Sequence, residues 1–268
     1  MKIDANSVTF EPQDMAFVKK FGILKATEMA LDYHAEHPNL PFLYDAEQLA
    51  GFLGISRGEL NDIVNHIQKE YKEPRLPKKD GTYRSLCVPS IRLRFCQDPI
   101  KEKILPQLPV SKFATAYQKG SITRGNAEPH IGKKFLLKLD ITDFFGSITF
   151  EQVQRTAFNT RYVSRQVGYL LTSLCCKDDS LPQGAATSPA LSNIVMYRFD
   201  DYIGRWCSQR QIAYTRYCDD MTFSANRPLY GVYQKVKTML REMGFELNES
   251  KTHFIGNDNR QSVTGLVV

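Results

Sequence analysis

The sequence predicts an α+β fold in which helices flank an antiparallel sheet, on three observations. Apolar residues recur at spacings of three and four across residues 12–37, 45–67, 188–199 and 229–243, the period of helices with one buried face. Between them stand strand-like segments: the apolar run 135–141 (FLLKLDI) and the aromatic and β-branched stretch 214–223 (YTRYCDDMTF). A content of 42% hydrophobic and 24% charged residues over 268 positions supports one large core or two smaller ones, and excludes disordered, collagenous and coiled-coil architectures.

Taken in order, residues 12–37 read as one helix and 45–67 as two short helices broken at Gly54-Ile55-Ser56, a pattern shared by helix-turn-helix DNA readers and plain helical pairs. The texture changes at Pro74. Lys78-Lys79-Asp80-Gly81 is a turn signal and residues 83–88 alternate like a strand, which together make a basic hairpin. Residues 89–105 read as a helix with a break or kink at Pro99. The run 135–141 suits a buried strand that ends on an acid. Ser188 suits an N-cap and Pro189 the first turn of a helix whose apolar stripe is Leu191, Ile194, Val195 and Phe199. Residues 214–223 read as a hairpin turning at or beside Cys218-Asp219-Asp220. A helix over 229–243 stops at Gly244, and short strands at 245–247, 253–255 and 262–268 finish the chain.

The net charge of +6 is unevenly spread: residues 57–134 hold 16 basic and 8 acidic side chains, whereas residues 1–56 hold 4 and 8. Such a block suits a phosphate-bearing partner, through release of condensed counterions, or a solvated basic face. No apolar run approaches the roughly 20 residues of a membrane span, and the opening MKIDANSVTFEPQD lacks the apolar core of a signal peptide. A cytoplasmic protein with no membrane partner is expected. The six cysteines contain no C-x-x-C spacing, so they read as reduced, mostly buried thiols rather than zinc ligands.

Two acidic sites stand at strand ends, Asp140 with Asp143 three residues on, and the adjacent pair Asp219-Asp220. Carboxylates gathered at the tip of a hairpin repel one another unless a cation lies between them. Magnesium suits such a place, because it takes a few carboxylate oxygens and keeps its other positions for water or phosphate; two such ions can stabilise both oxygens of a phosphoryl transfer. A solvated Asp-Asp turn is the plain alternative.

Five strings, in order between residues 77 and 254, carry a specific resemblance. Tyr217-Cys218-Asp219-Asp220 resembles the Y-x-D-D signature of reverse transcriptases. KLDITDFFGSI (138–148) is similar to their motif A, LPQGAATSPALSN (181–193) to motif B, GFELNESKTHF (244–254) to motif D, and PKKDGTYRSLCVPS (77–90) to their fingers string. Asn126-Ala127-Glu128-Pro129-His130 and Val263-Thr264-Gly265 further resemble the N-A-x-x-H and V-T-G elements of retron reverse transcriptases. The resemblance implies a right-hand polymerase fold with an N-terminal helical region (1–73), basic fingers (74–134) and a palm (135–268) whose antiparallel sheet carries the carboxylates.

Carried over residue by residue, the resemblance implies that Asp140 and Asp219 are the main ligands of two magnesium ions (Mg2+), with the Ile141 carbonyl and Asp220 completing the cluster. Phe145 falls where the family keeps a bulky aromatic that excludes a 2′-hydroxyl and so selects deoxynucleotides; a core aromatic beside Phe144 is the alternative. Asp143 would order the triphosphate region or be a solvated turn residue. Gln183 and Gly184 would lie beside the incoming nucleotide, and Arg84 with Lys78 or Lys79 would grip its triphosphate. Lys251 would protonate the departing pyrophosphate. Asn126 and His130 would contact RNA or serve local architecture, and Val263, Thr264 and Gly265 would contact RNA.

Retron enzymes copy part of a structured noncoding RNA, starting from a 2′-hydroxyl within it, into branched RNA-linked single-stranded DNA. The implied partners are that RNA, dNTPs and a separate effector protein in antiphage defence. Cys218 stands where retron enzymes more often have Ala, the segment up to Asn39 matches no motif, and the chain stops at Val268, where relatives continue into a helical thumb; absence of that thumb, and of a ribonuclease H domain, is expected. Rival readings are another bacterial reverse transcriptase of abortive-infection or group II intron-like type, which the N-A-x-x-H and V-T-G strings disfavour, and an RNA-binding module without turnover, which intact Asp140, Asp219, Asp220 and Lys251 disfavour.

Overall fold

The computed structural model describes residues 1–4, 7–77, 83–161 and 163–268. Strands β1 (Lys2–Asp4) and β2 (Ser7–Thr9) pair ahead of helices α1 (Met15–Phe21) and α2 (Ile23–Glu36). The single helix expected over 12–37 is therefore two, because Gly22 takes a φ of 79°, which ends the first and opens the second at a new angle. Helices α3 (Ala46–Leu53) and α4 (Arg57–Asn65) break where the sequence indicates: Gly54 is left-handed, and Ser56 forms a capping box with Glu59.

Strand β3 (Tyr71–Lys72) pairs with β6 (Val88–Pro89), and inside that pair β4 (Arg75–Pro77) meets β5 (Tyr83–Ser85). The strand expected over 83–88 is thus interrupted: the Leu86 N–H donates to the Pro74 carbonyl at 3.1 Å and the Cys87 N–H leaves the ladder for the Gln183 carbonyl at 2.7 Å. Its Lys78-Lys79-Asp80-Gly81 turn lies outside the described residues. Helix α5 (Ile91–Pro99), capped by Ser90, runs into a π-helical turn at Ile100–Ile104. Pro99 lacks the N–H that the helical ladder needs, and the chain widens here instead of kinking away.

The remaining elements are α6 (Thr123–Ala127), β7 (Phe135–Asp140), α7 (Phe150–Thr156), α8 (Arg165–Cys175), α9 (Ser188–Ser208), β8 (Ala213–Tyr217), β9 (Asp220–Ala225), α10 (Tyr230–Glu242), β10 (His253–Gly256), β11 (Ser262–Val263) and β12 (Leu266–Val267). Ser188 is the first residue of α9 rather than its cap, and its hydroxyl donates to the Pro182 carbonyl at 2.8 Å. No strand forms at 245–247, where Leu247 makes one bridge to Ile141; and the strand expected over 262–268 is the hairpin β11–β12, turned by Thr264 and Gly265 at φ 47° and 83°. All six cysteines are free thiols, four of them buried.

Two compact units divide the chain. The first comprises residues 1–108 and 149–191. Its core joins α3, α4, α5 and α8 through Leu49, Leu53, Leu60, Ile63, Leu93, Leu171 and Leu174, all essentially inaccessible. Phe17 fills the N-terminal end against Phe21, Phe42 and Tyr44 with ring centroids 5.0–5.2 Å apart.

The second unit comprises residues 109–148 and 192–268 and is built on a four-stranded antiparallel sheet in the order β10-β7-β9-β8. Tyr214 of β8 stacks on Phe223 of β9 at 4.7 Å, and Tyr233 of α10 meets Phe254 of β10 edge to face. Phe113 comes so close to α9 that a Cβ on Gly204 would stand 2.1 Å from its ring, so only glycine fits there. Among the described residues no helix is long and apolar enough to cross a membrane.

A buried polar clip holds the segment after α6 to this sheet. The two ring nitrogens of His130 lie 2.7 Å from Ser224 Oγ and 2.9 Å from Thr215 Oγ1, and the Asn126 Oδ1 accepts from the Thr115 hydroxyl at 2.7 Å. Burial, helped by the Lys133 charge, lowers the His130 pKa from 6.5 to about 4. The unfolded chain therefore takes up this proton first as pH falls. Stability contributed by neutral His130 is fully present above pH 6.5 and is lost between about pH 6.5 and 4, about 3 kcal/mol over the window. Urea unfolding at intervals from pH 7 to 4 should show that loss in the wild type and a flatter profile in His130→Gln; equal profiles would assign the titration to another group.

Candidate active site

The register of the sheet places three carboxylates at one end. Asp140, the last residue of β7, lies directly opposite Asp220, the first of β9. Tyr217 pairs with Asp220, which leaves Cys218 and Asp219 as a two-residue hairpin loop. The loop is pinned to β7 because the Ile141 N–H donates to the Asp219 carbonyl at 3.2 Å. Like charges facing across a ladder oppose folding. The effect is visible at Asp220, whose carboxyl is held above the usual carboxylate range by loss of water first and by the Asp219 and Asp140 charges next.

The Lys138 and Lys251 charges answer it at Asp220, and Lys251 does so at Asp140 by direct contact. Lys251 Nζ lies 2.8 Å from Asp140 Oδ2, and Asp140 in turn holds the ammonium above its ordinary pKa. Asp140 is 5% exposed and its carbonyl accepts the Asn248 N–H at 2.8 Å, so the loop that carries Lys251 is fastened to the strand that carries Asp140. Among the described residues, no three His, Cys, Asp or Glu side chains close on one point as a finished metal cage. The donor set nevertheless fits a hard divalent cation: all-oxygen, acid-rich and mutually repelling, with an ammonium on Asp140 as the present counter-charge.

Behind the loop stands a group that the sequence reading missed. Arg216 is fully buried, and its guanidinium binds both oxygens of buried Asp200 on α9, at 2.9 Å from Nε to Oδ1 and 2.6 Å from Nη2 to Oδ2. Nη2 also donates to Asn193 Oδ1 at 3.0 Å and Nη1 to the Cys218 carbonyl at 2.8 Å. Burial opposes this charge, and the Asp200 carboxylate more than restores it. Cys218 itself takes a φ of 62°, a left-handed value that costs a non-glycine residue roughly 1 kcal/mol. Its thiol, raised to about 11 by burial, lies 2.8 Å from the hydroxyl of Tyr117, another left-handed residue at φ 62°.

The other expected site residues fall as follows. Phe144 is the buried aromatic of its pair, 6.1 Å from Phe245, and Phe145 beside it is partly buried. Asp143 takes a φ of 43° and folds its carboxylate so closely over Gly146 that a Cβ there would meet it at 2.3 Å. In the first unit, Gln183 and Gly184 are exposed; the close backbone approach at Gly184, with φ 130°, is to the Cys87 carbonyl, 2.8 Å from where a Cβ would stand. Lys78 and Lys79 lie outside the described residues, and Arg84 belongs to β5 opposite Leu76. Asn126 and His130 are buried in the polar clip. Val263 is buried against Ala127 and Leu136, and the Thr264 hydroxyl donates to the Thr123 carbonyl at 3.3 Å. The N-A-x-x-H and V-T-G strings are therefore packed on one another.

Comparison with known proteins agrees with this geometry. The family Reverse transcriptase (RNA-dependent DNA polymerase) matches residues 76–266. The retron Ec83 reverse transcriptase of Escherichia coli is 34% identical over 212 residues, 74% of this chain and 68% of that one. The retron Ec86 reverse transcriptase of Escherichia coli is 29% identical over 249 residues, 91% and 78% of the two chains. The retron Mx65 reverse transcriptase of Myxococcus xanthus is 32% identical over 253 residues, 85% of this chain and 59% of the relative, so part of each relative has no counterpart in the match. In structure, apo telomerase from Candida tropicalis superposes with a TM-score of 0.50 at 12% identity over 80% of this chain and 51% of that one, a likeness of fold. The chain belongs to the reverse transcriptase (RNA-dependent DNA polymerase) family, and its curated relatives include retron reverse transcriptases.

Proposed function

We propose that the chain catalyses RNA-templated DNA synthesis of the retron type, by in-line attack of a primer hydroxyl on the α-phosphate of a paired deoxynucleotide with loss of pyrophosphate. The observation that carries the reading is the gathering of Asp140, Asp219 and Asp220 at one sheet end beside Lys251, inside the region that matches the family. When bound, two magnesium ions on the Asp140 and Asp219 carboxylates, with Asp220 and the Ile141 carbonyl beside them, would neutralise charge on the reacting phosphate. Lys251, kept protonated by Asp140, supplies the proton to the departing pyrophosphate.

Phe145, partly buried beside buried Phe144, excludes a 2′-hydroxyl and selects deoxynucleotides. Gln183, Gly184, Asp143, Arg84 and Lys78 or Lys79 are assigned to the nucleotide and its triphosphate. Residues 74–134 serve as fingers and 135–268 as palm. Burial of Asn126, His130 and Val263 supports architecture rather than RNA contact for these three, which leaves Thr264 and Gly265 at the hairpin turn as the contact positions. A structured RNA template, dNTPs, a separate effector protein, branched DNA product, antiphage defence and a cytoplasmic location complete the reading.

Arg216 is a positioning residue in this scheme, since it fixes the carbonyl that precedes Asp219. Three outcomes are expected. Primer extension on an RNA template should incorporate dNTPs in magnesium and fall to the blank in EDTA and in Asp219→Ala; extension that survives either condition refutes the assignment. Lys251→Ala should lower the single-turnover rate roughly 10²-fold or more with primer–template affinity unchanged, and an unchanged rate removes Lys251 from the chemistry. Arg216→Met should cost about 3–5 kcal/mol by stranding the Asp200 charge, and Arg216→Met/Asp200→Leu should recover most of that stability without recovering synthesis. Wild-type turnover in the double variant would leave Arg216 a purely structural part.

A further inference from the structure

At the end of the sheet away from the carboxylates, Lys133, Arg210 and Arg227 line a recess of about 400 Å³ together with Gln211, Ala225 and Asn226. The lining contains no carboxylate. Among the described residues none of the three cations takes part in an ion pair. Their side chains are held by other means. The Arg210 guanidinium lies over the Trp206 ring at 4.5 Å, and its Nη1 donates to the Trp206 carbonyl at 3.2 Å. Arg227 Nη2 donates to the Arg210 carbonyl at 3.2 Å, which brings the second guanidinium beside the first. Asn226 Oδ1 accepts the Lys134 N–H at 3.2 Å, which fixes the orientation of that amide and leaves both its N–H donors free of that bond.

Every charged side chain in the recess lining is thus a cation and a donor. Each guanidinium has five N–H donors, and the bonds just named use one apiece, so most remain for an anion. Three unpaired cations around one space repel, and a bound anion relieves them, with Arg able to take two phosphate oxygens at once. Its position decides which anion. Strand β9 runs from Asp220 at the carboxylates to Ala225 in the recess lining, five steps of about 3.3 Å or roughly 17 Å. A single nucleotide at the carboxylates does not span that distance, whereas a strand with a phosphate about every 3.4 Å covers it in about five nucleotides.

We propose that Lys133, Arg210 and Arg227 form a phosphodiester-backbone site that grips a nucleic acid roughly 17 Å from the acidic end of the sheet. The site reads no base, because its donors face phosphate chemistry that every sequence shares. It rests on the polymerase reading only for which polymer lies there.

The test is the salt dependence of binding by the full chain, followed by fluorescence anisotropy with an RNA hairpin of about 20 base pairs and an RNA–DNA hybrid of the same length. Each cation withdrawn from a backbone phosphate should lower the slope of log Kd against log salt by about 0.7–0.9. Lys133→Gln/Arg210→Gln/Arg227→Gln should take about two to three from the slope with at least one of the duplexes, and Arg227→Gln alone about one. Lys19→Gln/Lys25→Gln/Arg57→Gln, with the same change of charge, should keep the wild-type slope. Which duplex responds identifies the polymer. Equal slopes in the recess and control variants overturn the proposal. So does competition by inorganic phosphate at millimolar concentration with the slopes unchanged, which would mark a free-anion site. Wild-type primer extension is measured alongside: its failure would overturn the polymerase reading, while the slopes alone decide the recess.

Discussion

Burial of Arg216 with Asp200 is the constraint on which the acidic end of the sheet depends. Taking both charges out of water costs several kcal/mol each, and only a fully satisfied geometry repays it. Here that condition is met. The carboxylate accepts from Arg216 through both oxygens and from the Tyr214 hydroxyl at 2.7 Å, while the guanidinium divides its other donors between Asn193 and the Cys218 carbonyl. A hydrophobic pair of equal volume would serve stability as well. What it would not supply is a donor rigidly aimed at the hairpin loop. The pair therefore belongs to the positioning of Asp219 more than to the stability of the unit.

Three strained residues also stand at this end. Asp143, Tyr117 and Cys218 all take left-handed backbone values, and all stand next to the carboxylates in sequence or in contact with the loop that carries them. Each such residue costs roughly 1 kcal/mol, and opposed carboxylates add to the cost. Such conformations persist only where surrounding structure over-determines them. The Arg216 network, the Ile141 and Asn248 backbone bonds and the Lys251 ion pair supply that surrounding structure. A sheet end held against its own charge in this way is ready to take a cation without rearranging its strands.

Much of this was legible in the sequence. The hairpin at Cys218-Asp219, β7 ending at Asp140 and the helix stopped at Gly244 follow from local residue chemistry and stand as expected, and the helix at Ser188 forms too, one residue earlier than its expected cap implies and on to Ser208. What depended on distant partners did not. Helix α7 went unread because its seven residues carry little apolar periodicity, although Thr149 and Gln152 cap it; α8 was legible, with Ser164 as its cap and Val167, Leu170, Leu171, Leu174 and Cys175 as one apolar stripe. Gly22 breaks a helix that periodicity alone would continue. His130 and Asn126 look like surface contacts in a polar string, and only the fold turns them inward against Ser224, Thr215 and Thr115. A signal for Arg216 was present: strand alternation puts it on the same face as Tyr214, in the core, where a buried guanidinium demands an acid.

Charge along β9 separates two tasks that a polymerase must perform on one substrate. The Asp220 end is acidic and repels phosphate until cations are bound, so on its own it cannot hold a polyanion. The Ala225 end adjoins a recess with three cations and no carboxylate. Since roughly 17 Å exceeds the Debye length at physiological ionic strength, about 8 Å, the two ends act on different phosphates of one strand with little direct influence on each other. Grip and chemistry can then be strengthened separately: more cations at the far end tighten binding without neutralising the carboxylates proposed as metal ligands, and stronger acids at the near end leave the grip intact. A single mixed cluster could not do both, because the lysines and arginines that hold backbone phosphate would pair with the carboxylates, as Lys251 does with Asp140.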